Sequence, residues 1–129
     1  MNVKEALVSH LKANVATVSD RVFADRLPQQ PTLPSIVIHR ISLIPVHSHD
    51  GFSGLSMARF QVSVWADDHS TLEAVIAEVR TCLDGYKGTM GGVGGVQVGS
   101  SLLDNIADLV DPDTDWLHSP CDFLIQYNE

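Results

Sequence analysis

Two neighbouring stretches in the middle of the chain restrict its fold more than any other feature. Ser35 to His47 carries Ile36, Val37, Ile38, Ile41, Ile44 and Val46, and Ala58 to Ala66 sets Phe60, Val62 and Val64 on one side of an extended backbone. β-Branched and aromatic residues at a period of two suit a pleated, half-buried surface. The pair therefore predicts the strands of one long β-hairpin, with Pro45 marking the end or an edge position of the first. The connection HSHDGFSGLSM, residues 47–57, is polar and glycine-bearing. Its length of about eleven residues exceeds the two to five of most hairpins, which makes it a candidate contact surface.

Helical spacing appears twice. Val3, Leu7, Leu11 and Val15 recur every four residues, with Lys4, Glu5, Ser9 and Lys12 on other faces, predicting an amphipathic helix over residues 3–16. Ser70, Thr71, Leu72 and Glu73 match the S-x-x-E capping box, in which the serine oxygen accepts a first-turn amide proton and the glutamate reaches back to the cap amide. Leu72, Val75, Ile76, Val79 and Leu83 follow, and Gly85 supplies a left-handed stop, so a second helix is expected over residues 71–84. Arg21 to Leu27 reads as a short strand before the extended loop that Pro28, Pro31 and Pro34 enforce. Seven of the nine glycines fall in residues 85–99, a segment that buries little side-chain area and reads as a mobile loop. Val96 to Val110 and Trp116 to Tyr127 read as two further strands, joined by a turn over Asp111, Pro112, Asp113, Thr114 and Asp115. The sum is an α+β domain: an antiparallel sheet with two helices packed on one face and a long β-hairpin.

A length of 129 residues is expected to make one domain spanning 1–129. No apolar run approaches the roughly 20 residues of a membrane helix, and Met1, Asn2, Val3, Lys4 and Glu5 lack the start of a signal peptide, so no membrane association and synthesis in a cytoplasm are expected. The net charge of −8 is unevenly placed. Residues 1–66 hold six Lys/Arg against four Asp/Glu, and residues 67–129 hold two against twelve. Asp104, Asp108, Asp111, Asp113 and Asp115 lie in a stretch without a single base, which repels a phosphate backbone rather than binding it. Taken alone, such a run reads as a solvated acidic face.

The chemical motifs fail on inspection. The glycine segment lacks the closing Lys-Ser/Thr of a phosphate loop, and Gln97 stands where a GxGxxG pattern starting at Gly92 needs glycine. Gly51, Phe52, Ser53, Gly54 and Leu55 imitate a nucleophile elbow, but Leu55 replaces the last glycine and the segment leads into a strand. His47 and His49, with Asp50 nearby, would share a strand face as metal ligands do, yet no third ligand is identifiable and solvated loop histidines are the expectation. Asp111, Asp113 and Asp115 occupy the first acidic positions of a calcium loop with Asp122 at the twelfth, but Pro112, Trp116 and the flanking strands depart from that pattern. Trp65 and Trp116 read as core or strand-face residues, and His10, His39, His69 and His118 as surface or capping residues. Cys82 and Cys121, 39 positions apart, read as small buried apolar residues. No acid–base pair, metal or cofactor is indicated, and no enzyme is expected.

Several of these segments carry a resemblance. Leu33, Pro34, Ser35, Ile36 and Val37 after the first short strand, Phe60 to Ala66 running into the capped helix, Leu83, Asp84 and Gly85 at its end, and the closing Cys121 to Tyr127 resemble the small tail-completion proteins of long-tailed bacteriophages, also called tail terminator or head-tail joining proteins. The resemblance spans nearly the whole chain, and the glycine-rich 88–95 segment and the His47, Ser48, His49 tip lie outside it. It implies a virion protein of phage, prophage or gene transfer agent, assembled in the host bacterial cytoplasm, that forms a homohexameric ring on the tail tube and meets the head-tail connector proteins. DNA passes through the lumen of such a ring without specific binding. That setting gives the aspartates a second meaning, because a lumen benefits from a wall that repels phosphates over roughly 8 to 10 Å. Strands Ile36 to Val46 and Ala58 to Ala66 with their tip are then the expected contact arm, with His47, His49, Asp50, Phe52, Leu55 and Met57 as candidate neighbour or tube contacts. A metal- or calcium-binding module and a generic subunit of a cellular complex are the competing readings.

Overall fold

In the computed structural model, described over residues 2–18, 20–29, 32–48, 51–92 and 94–128 and for the backbone alone at 46–48 and 51–54, the predicted hairpin is the longest feature. Strand β2 (Ser35–Ser48) and strand β3 (Gly51–Ala66) pair antiparallel from Ser35↔Trp65 to Ser48↔Gly51, with register breaks between Arg40 and Ser42 and between Val46 and His47. The expected eleven-residue connection is therefore corrected: most of residues 47–57 is strand. A ladder is held by backbone N–H and C=O groups, so polar side chains and glycine extend it where no core requires alternation.

The remaining strands assemble around this pair. Strand β1 (Val22–Ala24) lies beside β2, β7 (Leu117–Asn128) beside β3, then β5 (Val96–Ile106) and β4 (Gly88–Met90), with the two-residue β6 (Leu109–Val110) against the start of β7. All pairings are antiparallel except β1 with β2, which departs from the all-antiparallel expectation. The first strand is also shorter than expected. Asp25, at φ 72, turns the chain out of the extended region, and its amide donates back to Ile38 O at 2.9 Å. The glycine segment expected to be a mobile loop instead forms the β4–β5 hairpin, pairing Gly88 with Val98 and Met90 with Val96. Gly91, Gly92 and Gly94 take positive φ in its turn.

Helices α1 (Val3–Asn14) and α2 (His69–Leu83) lie close to the predicted positions. Asn2 caps α1: its side chain accepts from the Glu5 amide at 2.8 Å and donates to the Glu5 carboxylate at 2.8 Å, a reciprocal cap. The α2 cap is Asp68 rather than Ser70. Its carboxylate accepts from the Thr71 amide at 2.7 Å and the Thr71 hydroxyl at 3.0 Å, which hold it below the usual carboxylate range. At the other end Gly85, at φ 80, donates to Ser101 O.

Both helices cover the same face of the sheet. Leu7, Leu11, Val15, Val75, Val79 and Leu83 meet Ile36, Ile38, Phe60, Val62, Val64, Phe123 and Ile125 in one fully buried cluster. Helix α1 touches β1 and β2 near one edge and β4 at the other, so the sheet curls around it. Phe60 and Phe123 are direct cross-strand partners at the centre.

Candidate functional site

Among the described residues no helix packs on the opposite face of the sheet. Strict alternation sends Met57, Arg59, Gln61, Ser63 and Trp65 of β3 to this side, opposite Gln126, Leu124, Asp122, Pro120 and His118 of β7. From β5, Leu102 stands opposite Leu124 and Asn105 opposite Asp122; from β2, Ile44 stands opposite Met57 and His39 opposite Gln61. Three large apolar side chains here face solvent: Ile44 at 64% exposure, Leu102 at 54% and Met57 at 40%.

A polar centre divides the apolar residues. The Arg59 guanidinium donates to Asp104 Oδ2 at 2.6 Å and lies 3.5 Å from Asp122 Oδ2. One cation faces two carboxylates, leaving a surplus negative charge. Asp122 Oδ1 is buried and has no hydrogen-bond partner among the described residues. A buried acceptor left unpaired costs free energy that an incoming donor can recover.

At the end of this face near the start of β7, the Trp65 indole stacks on the His118 imidazole with centroids 4.0 Å apart and planes 6° apart, and Trp116 meets Trp65 edge-on at 6.4 Å. Trp65 thus occupies the strand-face role that was expected, while Trp116 lies just before β7 rather than on a strand. Arg26, Leu27, Val37, His39, Trp65 and His118 line a cavity of about 270 Å³ there. Burial pushes the His118 pKa below its ordinary value, with Asp111 opposing and His39 adding to the shift. Its Nε2 is buried without a partner among the described residues.

The five aspartates are held in different ways. Asp104 is on the open face, paired with Arg59. Asp108 accepts from the Ser119 hydroxyl at 2.7 Å. Asp111 is taken up in its own turn, accepting from the Asp113 amide at 3.1 Å and the Thr114 hydroxyl at 2.9 Å. Only Asp113 and Asp115 combine full exposure with the tip of the turn, and Asp115 reaches it at φ 59. Because Ala66 pairs with Leu117, Asp67 and Asp68 leave the sheet at the same end as that turn.

Of the candidate arm residues, Met57 and the half-buried Leu55 pair with Gln126 and Asn128 at the opposite end of the sheet. His47 faces Phe52 in the ladder, and His49 and Asp50 lie outside the described residues. Burial raises the Cys121 thiol to about 12 and the half-buried Cys82 thiol to about 11, and both are free. Among the described residues no three metal-ligating side chains come together, and no helix is long and apolar enough to cross a membrane. Sequence reasoning missed the Arg59 centre. Its one signal was a lone cation at an outward position of the Ala58 to Ala66 alternation.

Comparison with known proteins gives two findings. Residues 5–128 match the family described as tail completion protein gp17. A chain of the structure titled "Virion of native gene transfer agent (GTA) particle" superimposes with a TM-score of 0.78 at 16% identity, covering 98% of this chain and 95% of that one, a likeness of fold. No curated protein matches the chain.

Proposed function

This chain belongs to the tail completion protein gp17 family, a structural component of the viral tail, and from that premise we propose that it caps the tail tube as a homo-oligomeric ring, hexameric in the reading favoured, and forms the joining surface for the head. It performs no chemistry on a substrate in this reading. The observation that carries it is the helix-free face of the sheet, where Ile44, Met57 and Leu102 stand exposed around an ion-paired Arg59. A built face of that kind is a protein-contact surface: apolar area that a lone subunit leaves in water, organised around groups that fix register.

DNA traverses the lumen of the proposed ring. Asp113 and Asp115, with Asp67, Asp68 and Asp111 at the same end of the sheet, supply the charge that keeps phosphates off the wall over about a Debye length, roughly 8 Å. The β2–β3 arm projects at the other end and is assigned to neighbour or tube contacts. Light scattering and negative-stain microscopy of the purified chain, with and without tail tubes, test the reading. A closed ring with a central hole is expected. A compact dimer, or a monomer that tubes leave unchanged, overturns it.

A further inference from the structure

We propose that the helix-free face is the acceptor half of a head-to-tail contact between copies of this chain, and that the donor half is Arg40 with Ile41 and Leu43 on the arm of the next copy. This rests on the ring reading above and names the surfaces that close the ring.

The acceptor is defined by its chemistry. Asp104 and Asp122 share one guanidinium, so the centre keeps a negative charge, and Asp122 Oδ1 is buried and unpaired among the described residues. Ile44, Met57 and Leu102 flank that centre on its arm side. Its complement is a cation flanked by exposed apolar side chains.

Among the described residues one segment fits. The exposed large apolar side chains among them are Ile41, Leu43, Ile44, Met57, Leu102, Leu109 and Val110. Leu109 and Val110 are flanked by Asp108 and Asp111, the wrong sign for an acidic centre. Arg40 stands directly before Ile41, is exposed, and forms no direct salt bridge among the described residues; its charge reaches Asp25, whose direct partner is Lys4. Lys4 is held by Asp25 at 2.9 Å, and Arg21 by the Pro34 and Thr17 carbonyls. Lys12, Arg26, Arg80 and Lys87 have no exposed large apolar residue beside them in the chain.

Position in the ladder separates the two halves. Arg40 is opposite Phe60 and Leu43 opposite Ala58, which places them on the helix-bearing side of the sheet, where Arg40 shares a cavity with Asn2 and Val3 at the start of α1; the register break makes Ile41 the extra residue between them. The acceptor is on the other side. Two unlike patches on opposite faces join copies head to tail, a contact that closes into a ring when the rotation between neighbours fits, whereas pairing acceptor with acceptor sets surplus carboxylates against each other.

Reciprocal charge reversal tests the contact. Wild type, Arg40→Glu, Asp104→Arg and the double variant are assembled on tail tubes and followed by light scattering and microscopy, with thermal unfolding confirming that each subunit is folded. Each single reversal should raise the concentration needed for ring formation by about tenfold or more, and the double variant should recover most of the loss. Independently of variant folding, a mixture of unlabelled and ¹⁵N-labelled Arg40→Lys protein treated with a zero-length carbodiimide should give mixed-isotope peptides joining position 40 to Asp104 or Asp122. Wild-type assembly of Arg40→Glu, no recovery in the double variant, or crosslinks confined to other positions overturns the contact while leaving the ring reading standing. Failure of the wild type to form rings at all removes both.

Discussion

Removing Arg59 should destabilise the subunit more than removing either of its partners, because the guanidinium is shared. Arg59 is 31% exposed, Asp104 41% and Asp122 22%. An exposed ion pair is worth roughly 0 to 1 kcal/mol. Stripping the partner from a fully buried charge costs about 3 to 5 kcal/mol. This half-buried centre falls between them, so Arg59→Ala, which leaves two carboxylates facing each other across β5 and β7, should cost about 1 to 2 kcal/mol. For a domain of this size that corresponds to about 4 to 8 °C in Tm. Asp104→Asn keeps an acceptor for Arg59 and leaves Asp122 paired, and should cost under about 1 kcal/mol. The cycle is completed by Arg59→Ala with Asp104→Asn, which relieves the repulsion and should be more stable than Arg59→Ala alone. Thermal and urea unfolding of the four proteins read the result. An Arg59→Ala cost no larger than that of Asp104→Asn, or a double variant less stable than both singles, would refute the shared-cation account.

Three further outcomes follow from single sites. In Gly95→Ala the new Cβ meets the Met90 carbonyl in the β4–β5 turn, so about 1 to 3 kcal/mol should be lost in urea unfolding; a neutral substitution would show that the turn gives way freely. The folded-state pKa of His118 is lowered, so the unfolded chain binds the extra proton first: stability is full above about pH 6.5 and falls as the pH drops through the folded value. His118→Gln should flatten the difference in Tm between pH 7.5 and 5.5, and an unchanged difference would assign it to other groups. Replacing Asp113 and Asp115 by lysine should leave ring formation intact and slow DNA ejection from assembled particles; unchanged ejection would remove these residues from the lumen wall.

How much of this was legible in the sequence depended on whether side chains or backbone decided the matter. Val3, Leu7, Leu11 and Val15 are all buried, as are Leu72, Val75, Ile76, Val79 and Leu83, because amphipathic spacing is itself the cause of helix burial. The hairpin was visible for the same reason. Its outer half was not, since residues 47–48, 51–52 and 55–57 are held by a backbone ladder to which alternation is irrelevant. Gly88 to Met90 was hidden likewise, glycine being a poor strand former that pairing with Val96 to Val98 overrides. Asp68 displaced Ser70 as the cap because the helix begins two residues earlier, and the carboxylate reaches Thr71. The Arg59 centre was out of reach altogether. Asp104 is 45 positions away and Asp122 comes from a third strand, so only the register of β3, β7 and β5 brings them together.

The two long strands exceed what the core can use, and this excess leads to the last prediction. Fourteen residues of β2 span roughly 46 Å. The longer helix, α2 with fifteen residues, spans about 22 Å. Burial follows the helices: on β2 it stops at Ile38, and on β3 the helix-side run of buried apolar residues starts at Ala58. Beyond those points the described residues form an arm in which β2 is paired on one side only, by β3, and whose side chains Ile41, Leu43 and Ile44 find no cover in the subunit. Deleting residues 48–55 removes the outer arm and takes no residue from the buried apolar cluster. The truncated subunit should therefore unfold within a few degrees of wild type, since surface changes are usually within about 0.5 kcal/mol. It should fail to assemble or to join tails, because the length it lacks carries the outer arm assigned to those contacts. Rings and joined tails formed by the deletion variant at wild-type concentration would show that the arm serves neither contact.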